Sequence, residues 1–238
     1  MAAPKLSTLQ ESMIEREAVP NVGSRLSCCD HLKAHPIPPV YKFFKRLMDI
    51  VGASILLLAL LPVFVVIAIL VKFSSRGPVF YKSIRIGLCG ERFTFIKFRS
   101  MRPDADKIRE KLLEQNEKDG PIFKMKDDPR ITPIGRVLRR FSLDELPQLW
   151  SVLTGQMSLV GPRPPIPSEV EQYDELCMQR LLVKPGITCF WQVMGRSNLS
   201  FEQWMELDRR YLQEMGMLTD IKLLVLTPVA VFKSDGAY

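Results

Sequence analysis

Hydrophobic and polar positions divide the chain into three stretches with different periods. Residues 1–39 carry few large apolar side chains and no sustained period, and they end in the proline-rich HPIPPV, which predicts a disordered tail over residues 1–40. Residues 50–71 (IVGASILLLALLPVFVVIAILV) hold no charge over 22 positions. A helix of that length reaches roughly 33 Å, the thickness of a bilayer core. From residue 74 onward, short segments of period two or 3.6 alternate with glycine and proline breakers. That pattern predicts an α+β domain, mainly α.

Pro62 lies inside the apolar stretch. It lacks the N–H that would bond the Leu58 carbonyl, so the helix should break near Leu61. One kinked span or a re-entrant hairpin over residues 41–73 both fit. Lys42, Lys45 and Arg46 precede the stretch and Lys72, Arg76, Lys82 and Arg85 follow it. Basic residues that stay on the cytoplasmic side at both ends favour the hairpin, with half-helices of roughly 15 Å entering one leaflet. Its entry, YKFFKRLMD, mixes aromatic and basic residues as a membrane interface does.

Residues 74–238 are then predicted as a cytosolic domain with membrane-associated helices. Residues 79–86 and 92–98 alternate around the turn at 87–90 and read as a β-hairpin. An exposed amphipathic helix is expected over 103–117 and a short helix over 133–140 after Thr132, with Arg136, Arg139 and Arg140 on one face. In FSLDELPQLW, Pro147 is tolerated only in a first helical turn, which makes Asp144 the N-cap. A carboxylate there either simply caps the helix or meets a phosphate. Arg163, in GPRPP, is stiffened by prolines and suits bidentate contact with an anion. One helix is expected over 168–182, an extended run over 187–193, a capping box at Ser200 and Gln203, and a last apolar helix over 221–232.

Charge sharpens this picture. The chain has 238 residues, 47% of them apolar, enough for one domain with a real core, and a net charge of +7. Residues 1–40 are balanced, with four basic and four acidic groups, so the surplus lies beyond them. Residues 72–102 hold eight basic groups against the single acidic Glu91. A basic group near an anionic membrane contributes about 1 kcal/mol, and phosphorylated substrates are attracted likewise. Nucleic acid is the competing partner, but no recognition module is present and the apolar stretch argues against it. Five cysteines at unrelated spacings imply no disulfide framework, and Cys28, Cys29, His31 and His35 match no zinc spacing. No secretory signal precedes the apolar stretch.

Taken in order, the basic entry with its proline-broken helix, KFRSM at 97–101, DPRITPIGRVLRRFSLDELPQLW, GQMSLVGPRP, KPGIT, WQVMGRS and residues 207–224 resemble the bacterial sugar transferases, or monotopic phosphoglycosyl transferases. The resemblance covers nearly all of residues 42–226 and implies a minimal catalytic unit on the cytoplasmic face of a bacterial inner membrane. It implies transfer of a sugar phosphate from a UDP-sugar to polyprenyl (undecaprenyl) phosphate, releasing UMP and starting exopolysaccharide or other glycoconjugate synthesis. By the same resemblance Asp144 is the nucleophile and Glu145 helps to bind Mg²⁺. Lys97, Arg99, Arg139, Arg163, Arg196, Asp208 and Asp220 are then the substrate-binding set. Leu61 stands where the family usually has serine before the hairpin proline, and Cys189 where it has glycine after KPGIT. A non-catalytic basic membrane anchor is the competing class, the sugar is not specified, and a homo-oligomer is compatible with the sequence.

Overall fold

A computed structural model describes residues 37–105 and 127–233, together with residues 108, 112, 116, 120, 121, 125 and 236. The tail expected over 1–40 and the helix expected over 103–117 lie largely outside the described residues. The first two elements are α1 (Pro39–Ala59) and α2 (Leu61–Ser74), separated at Leu60 and bent by 61°. The break falls where Pro62, in the first turn of α2, removes a donor from the ladder. No described helix alone is long and apolar enough to cross a membrane; only by length and composition do the two helices of this bent pair together reach that measure.

Both ends of the pair are clamped to the same body. From α1, Arg46 donates to the carbonyls of Val152 and Leu153, both at 2.7 Å. Asp49 accepts from the Ser158 hydroxyl and the Leu159 N–H, both at 2.9 Å. At the far end the Arg99 guanidinium donates to the carbonyls of Val71, Ser75 and Pro78 and to the Ser75 hydroxyl. The apex between the clamps stays uncovered, with Leu58 75% exposed and Leu61 59%.

After the pair, β1 (Phe80–Ile86) and β2 (Arg92–Phe98) form the expected antiparallel hairpin, with Phe80 opposite Phe98 and Ile86 opposite Arg92. Helix α3 (Pro133–Arg140) starts as predicted, with the Thr132 hydroxyl accepting from the Gly135 N–H at 2.9 Å. Gly135 is needed there because any Cβ would collide with the Ser100 carbonyl. That close approach brings α3 against the end of β2.

A 3₁₀ turn over Leu143–Gln148 leads into α4 (Leu149–Leu153). This corrects the expected capping: Ser142 is the N-cap and Asp144 lies inside the first turn. The chain enters this tighter path through a left-handed Ser142 (φ 53°), whose carbonyl accepts from the Glu145 N–H, and Pro147 lies inside the 3₁₀ segment rather than in the first turn of an α-helix.

Next, β3 (Ser158–Val160) pairs in parallel with β4 (Gly186–Thr188), a second sheet beyond the predicted hairpin. Gly161 and Gly186 allow it, since a Cβ on either would strike the other strand's backbone. The single helix expected over 168–182 is instead α5 (Pro167–Val170), α6 (Glu175–Met178) and a 3₁₀ turn over Gln179–Leu182. The chain restarts at Asp174, whose carboxylate caps α6 by accepting from Cys177 N at 2.7 Å. Where an extended run was expected over 187–193, α7 (Phe190–Met194) follows β4 with Phe190, Trp191 and Gln192 buried, and period alone does not separate a short buried helix from a strand.

The last two helices are α8 (Phe201–Glu214), opened by the reciprocal Ser200 and Gln203 cap, and α9 (Met217–Lys233). Phe95, Val152, Met157, Val160, Tyr211 and Leu223 pack into one core beneath α1. The opposite side of α9 leaves Leu218, Val225 and Phe232 exposed. Cys177 and Cys189 are free thiols. The architecture is thus mainly helical with two small sheets, as an α+β chain requires.

Candidate active site

Strand register decides which side chains of the hairpin share a face. Tyr81 lies opposite Lys97, Ser83 opposite Phe95 and Arg85 opposite Phe93, so Arg85 and Lys97 point the same way. That face forms one wall of a cavity of about 440 Å³. The 3₁₀ turn forms a second wall and brings in Asp144 and Glu145. Helix α3 adds Arg139, the loop after β3 adds Arg163, and the turn after α7 adds Arg196. A volume of this size suits a nucleotide-sized ligand.

Asp144 is 5% exposed, and among the described residues no hydrogen bond engages its carboxylate. Burial raises its pKa and the neighbouring Glu145 raises it further, against the pull of Lys97, Arg139 and Arg163. Glu145 is driven the other way. Burial pushes its carboxyl up, but the Arg163 charge and a 2.6 Å hydrogen bond from Arg163 outweigh burial and hold it below the usual carboxylate range. Two adjacent carboxylates are therefore separated in character: one is committed to an arginine, the other is left free to react. Burial and the nearby Arg139 lower the Lys97 ammonium to about 8. Its Nζ lies 5.3 Å from the Tyr81 ring centroid.

Donors dominate the rest of the lining. Among the described residues, Arg85 Nε, Arg180 Nε, Arg196 Nε and the Trp204 indole N–H are buried without a partner, and all four residues line the cavity. Buried orphan donors are costly, about 1–3 kcal/mol each, and are retained where an oxygen-rich ligand completes them. Backbone strain gathers here too. Ser142 and Arg196 both have left-handed φ, 53° and 51°, and the Arg196 guanidinium donates to the Ser142 hydroxyl at 3.3 Å.

Of the residues singled out in the sequence, Lys97, Arg139, Asp144, Glu145, Arg163 and Arg196 meet in this cavity. Arg99 touches its edge, but its guanidinium is occupied by the carbonyls after α2, so it clamps the helix pair. Asp208 and Asp220 do not line the cavity. Asp208 pairs with the buried Arg180 at 2.9 Å. Asp220 sits one turn into α9, beyond the cap position, and accepts from Lys45 at 2.8 Å, Tyr41 at 2.8 Å and Tyr211 at 2.9 Å. Arg85 and Arg180 were missed. The alternation of the hairpin already contained Arg85, because it shares a face with Lys97. Nothing local marked Arg180, whose partners come from three other segments.

A divalent cation fits the acidic pair. No cluster of three or more acidic, histidine or cysteine side chains exists among the described residues. Magnesium needs only one or two carboxylates, taking water and substrate phosphate oxygens for the rest. Glu145 offers its second oxygen, the first being held by Arg163, and Asp144 is adjacent.

Residues 40–234 match the family described as bacterial sugar transferase. The chain is 44% identical over 196 residues to galactosyl transferase CpsE of Streptococcus agalactiae, covering 81% of the chain and 43% of that protein. It is 39% identical over 206 residues to exopolysaccharide production protein ExoY of Sinorhizobium fredii, covering 85% of the chain and 91% of that protein. It is 40% identical over 212 residues to UDP-glucose:undecaprenyl-phosphate glucose-1-phosphate transferase of Escherichia coli K12, covering 85% and 43%. The chain therefore spans nearly all of ExoY and less than half the length of the other two.

Proposed function

The chain belongs to the bacterial sugar transferase family, and from that premise we propose that it transfers a sugar-1-phosphate from a UDP-sugar to polyprenyl phosphate, through a covalent intermediate on Asp144. The observation that carries this reading is a buried carboxylate with no hydrogen bond of its own among the described residues, set among Lys97, Arg139 and Arg163. A structural aspartate in such company would be bonded to them; a nucleophile must be free to approach phosphorus.

An Asp144 carboxylate oxygen bonds to the phosphorus nearer the sugar, and the bond from that phosphorus to the bridging oxygen breaks. UMP leaves carrying the bridging oxygen. An oxygen of polyprenyl phosphate then attacks the same phosphorus, the bond to Asp144 breaks, and the carboxylate is regenerated. Lys97, Arg139 and Arg163 neutralise the diphosphate and the charge that develops in flight. Glu145 and Asp144 would hold Mg²⁺, which supplies further charge neutralisation on the phosphate oxygens.

The lipid substrate requires a membrane. The helix pair leaves and re-enters one body, clamped at one end by Arg46 and Asp49 and at the other by Arg99. A straight span would separate those clamps by the bilayer thickness. We therefore read the pair as a re-entrant wedge in the cytoplasmic leaflet of a bacterial inner membrane, with exposed Leu58 and Leu61 at its tip.

Purified protein with UDP-sugars, polyprenyl phosphate and Mg²⁺ should release UMP, and mass spectrometry without the lipid acceptor should find a sugar-phosphate adduct on Asp144. A non-catalytic anchor would release none. UMP release with no adduct at any quench time would retain the transfer and remove the covalent step.

A further inference from the structure

The loop that presents Arg163 is held through three successive carbonyls. Arg180 donates to the Arg163 carbonyl at 2.9 Å, Arg85 to that of Pro164 at 3.1 Å, and the Ile86 N–H to that of Pro165 at 3.0 Å. Arg180 is the member that reaches deepest. It is 4% exposed, donates to the Tyr173 hydroxyl at 2.7 Å, and pairs with Asp208 of α8 at 2.9 Å. The rings of Tyr173 and Trp204 lie 5.7 and 5.3 Å from its guanidinium carbon. Arg163 in turn bonds Glu145 at 2.6 Å. A continuous series of charges thus runs from α8 through Arg180 and Arg163 to the acidic pair.

We propose that Arg180, oriented by Asp208, is a positioning residue for the phosphoryl transfer, fixing the backbone from which Arg163 reaches Glu145 and the diphosphate. Three features separate this from ordinary core packing. A buried ion pair is a poor source of net stability compared with apolar residues of the same volume, so its retention points to orientation. The guanidinium engages a hydroxyl, a carbonyl and a carboxylate at once, a fork that lysine cannot reproduce. And the carbonyl it holds belongs to the very residue that bonds the acidic pair. The inference rests on the function proposed above.

The test is a double-mutant cycle on the full chain in lipid nanodiscs, reading kcat and KM for the UDP-sugar together with Tm. Arg180→Lys should lower kcat on the order of 10²-fold, the cost of a misplaced reacting group, while KM moves less than about threefold. Combined with Arg163→Ala, it should add almost nothing to the loss that Arg163→Ala causes alone, because both act through one side chain. If Arg180→Lys does not fold, Asp208→Asn carries the same cycle. An additive cycle, with losses that multiply and follow Tm, would mean that Arg180 is only structural and would overturn the positioning role. Absence of UMP release from the wild-type chain would instead overturn the proposed function, and this inference with it.

Discussion

Asp144 and Asp220 are both buried aspartates in the first turn of a helical segment, and their surroundings differ completely. Asp220 is met by Lys45, Tyr41 and Tyr211, three donors from two helices that fill both of its oxygens. Asp144 has three cations nearby and bonds to none of them. Around Asp220 the donors are satisfied; around Asp144 several buried N–H groups wait for an acceptor. A completed network holds elements together, and an incomplete one is where a ligand belongs.

Three measurements can break or sharpen this contrast. The largest effect is expected from Asp144→Asn, which should cost at least roughly 10³-fold in turnover while leaving Tm nearly unchanged, because no native bond is lost. Turnover near the wild-type rate would show that Asp144 is no nucleophile. Asp220→Asn should do the reverse, lowering stability by about 3 kcal/mol, the low end for a broken buried pair, since Lys45 keeps 14% exposure. Chemical denaturation in detergent measures it, and an unchanged midpoint would refute the structural role.

The smallest effect concerns Lys97. Its pKa is lowered to about 8, so the ammonium is charged below that value and neutral above it. If that charge binds the diphosphate, kcat/KM for the UDP-sugar falls as pH rises through about 8, by roughly tenfold per unit beyond it if the charge is essential. Lys97→Arg, which stays charged, should remove this limb from the profile. A limb that persists unchanged in the arginine variant belongs to another group.

Much of the fold was legible where a local rule decides it. Pro62 removes a donor, and the helix breaks beside it. Thr132 before Pro133 and Ser200 three residues before Gln203 start helices by bonding their own backbone. Alternation located the hairpin and, followed through its register, places Lys97 beside Arg85. Where distant residues decide, the local reading failed. Ser142 takes its left-handed turn against Arg196, which lies 54 positions along the chain, and that turn makes the segment carrying Asp144 a 3₁₀ helix rather than a capped α-helix. Asp208 looked like a site residue by resemblance, yet its partner is Arg180 and its place is behind the cavity wall.

The clamps on α1 also bear on whether the bent helix pair is detachable. Lys45, Arg46 and Asp49 supply donors and acceptors to Val160, Val152, Leu153, Ser158 and Leu159 of the folded body, all buried except the half-buried Leu153. A chain beginning at residue 74 would leave those backbone groups and Asp220 without counterparts inside an apolar interior. The helix proposed to enter the membrane is therefore a structural rib of the domain, and trimming it away would remove the framework on which the rest of the chain folds.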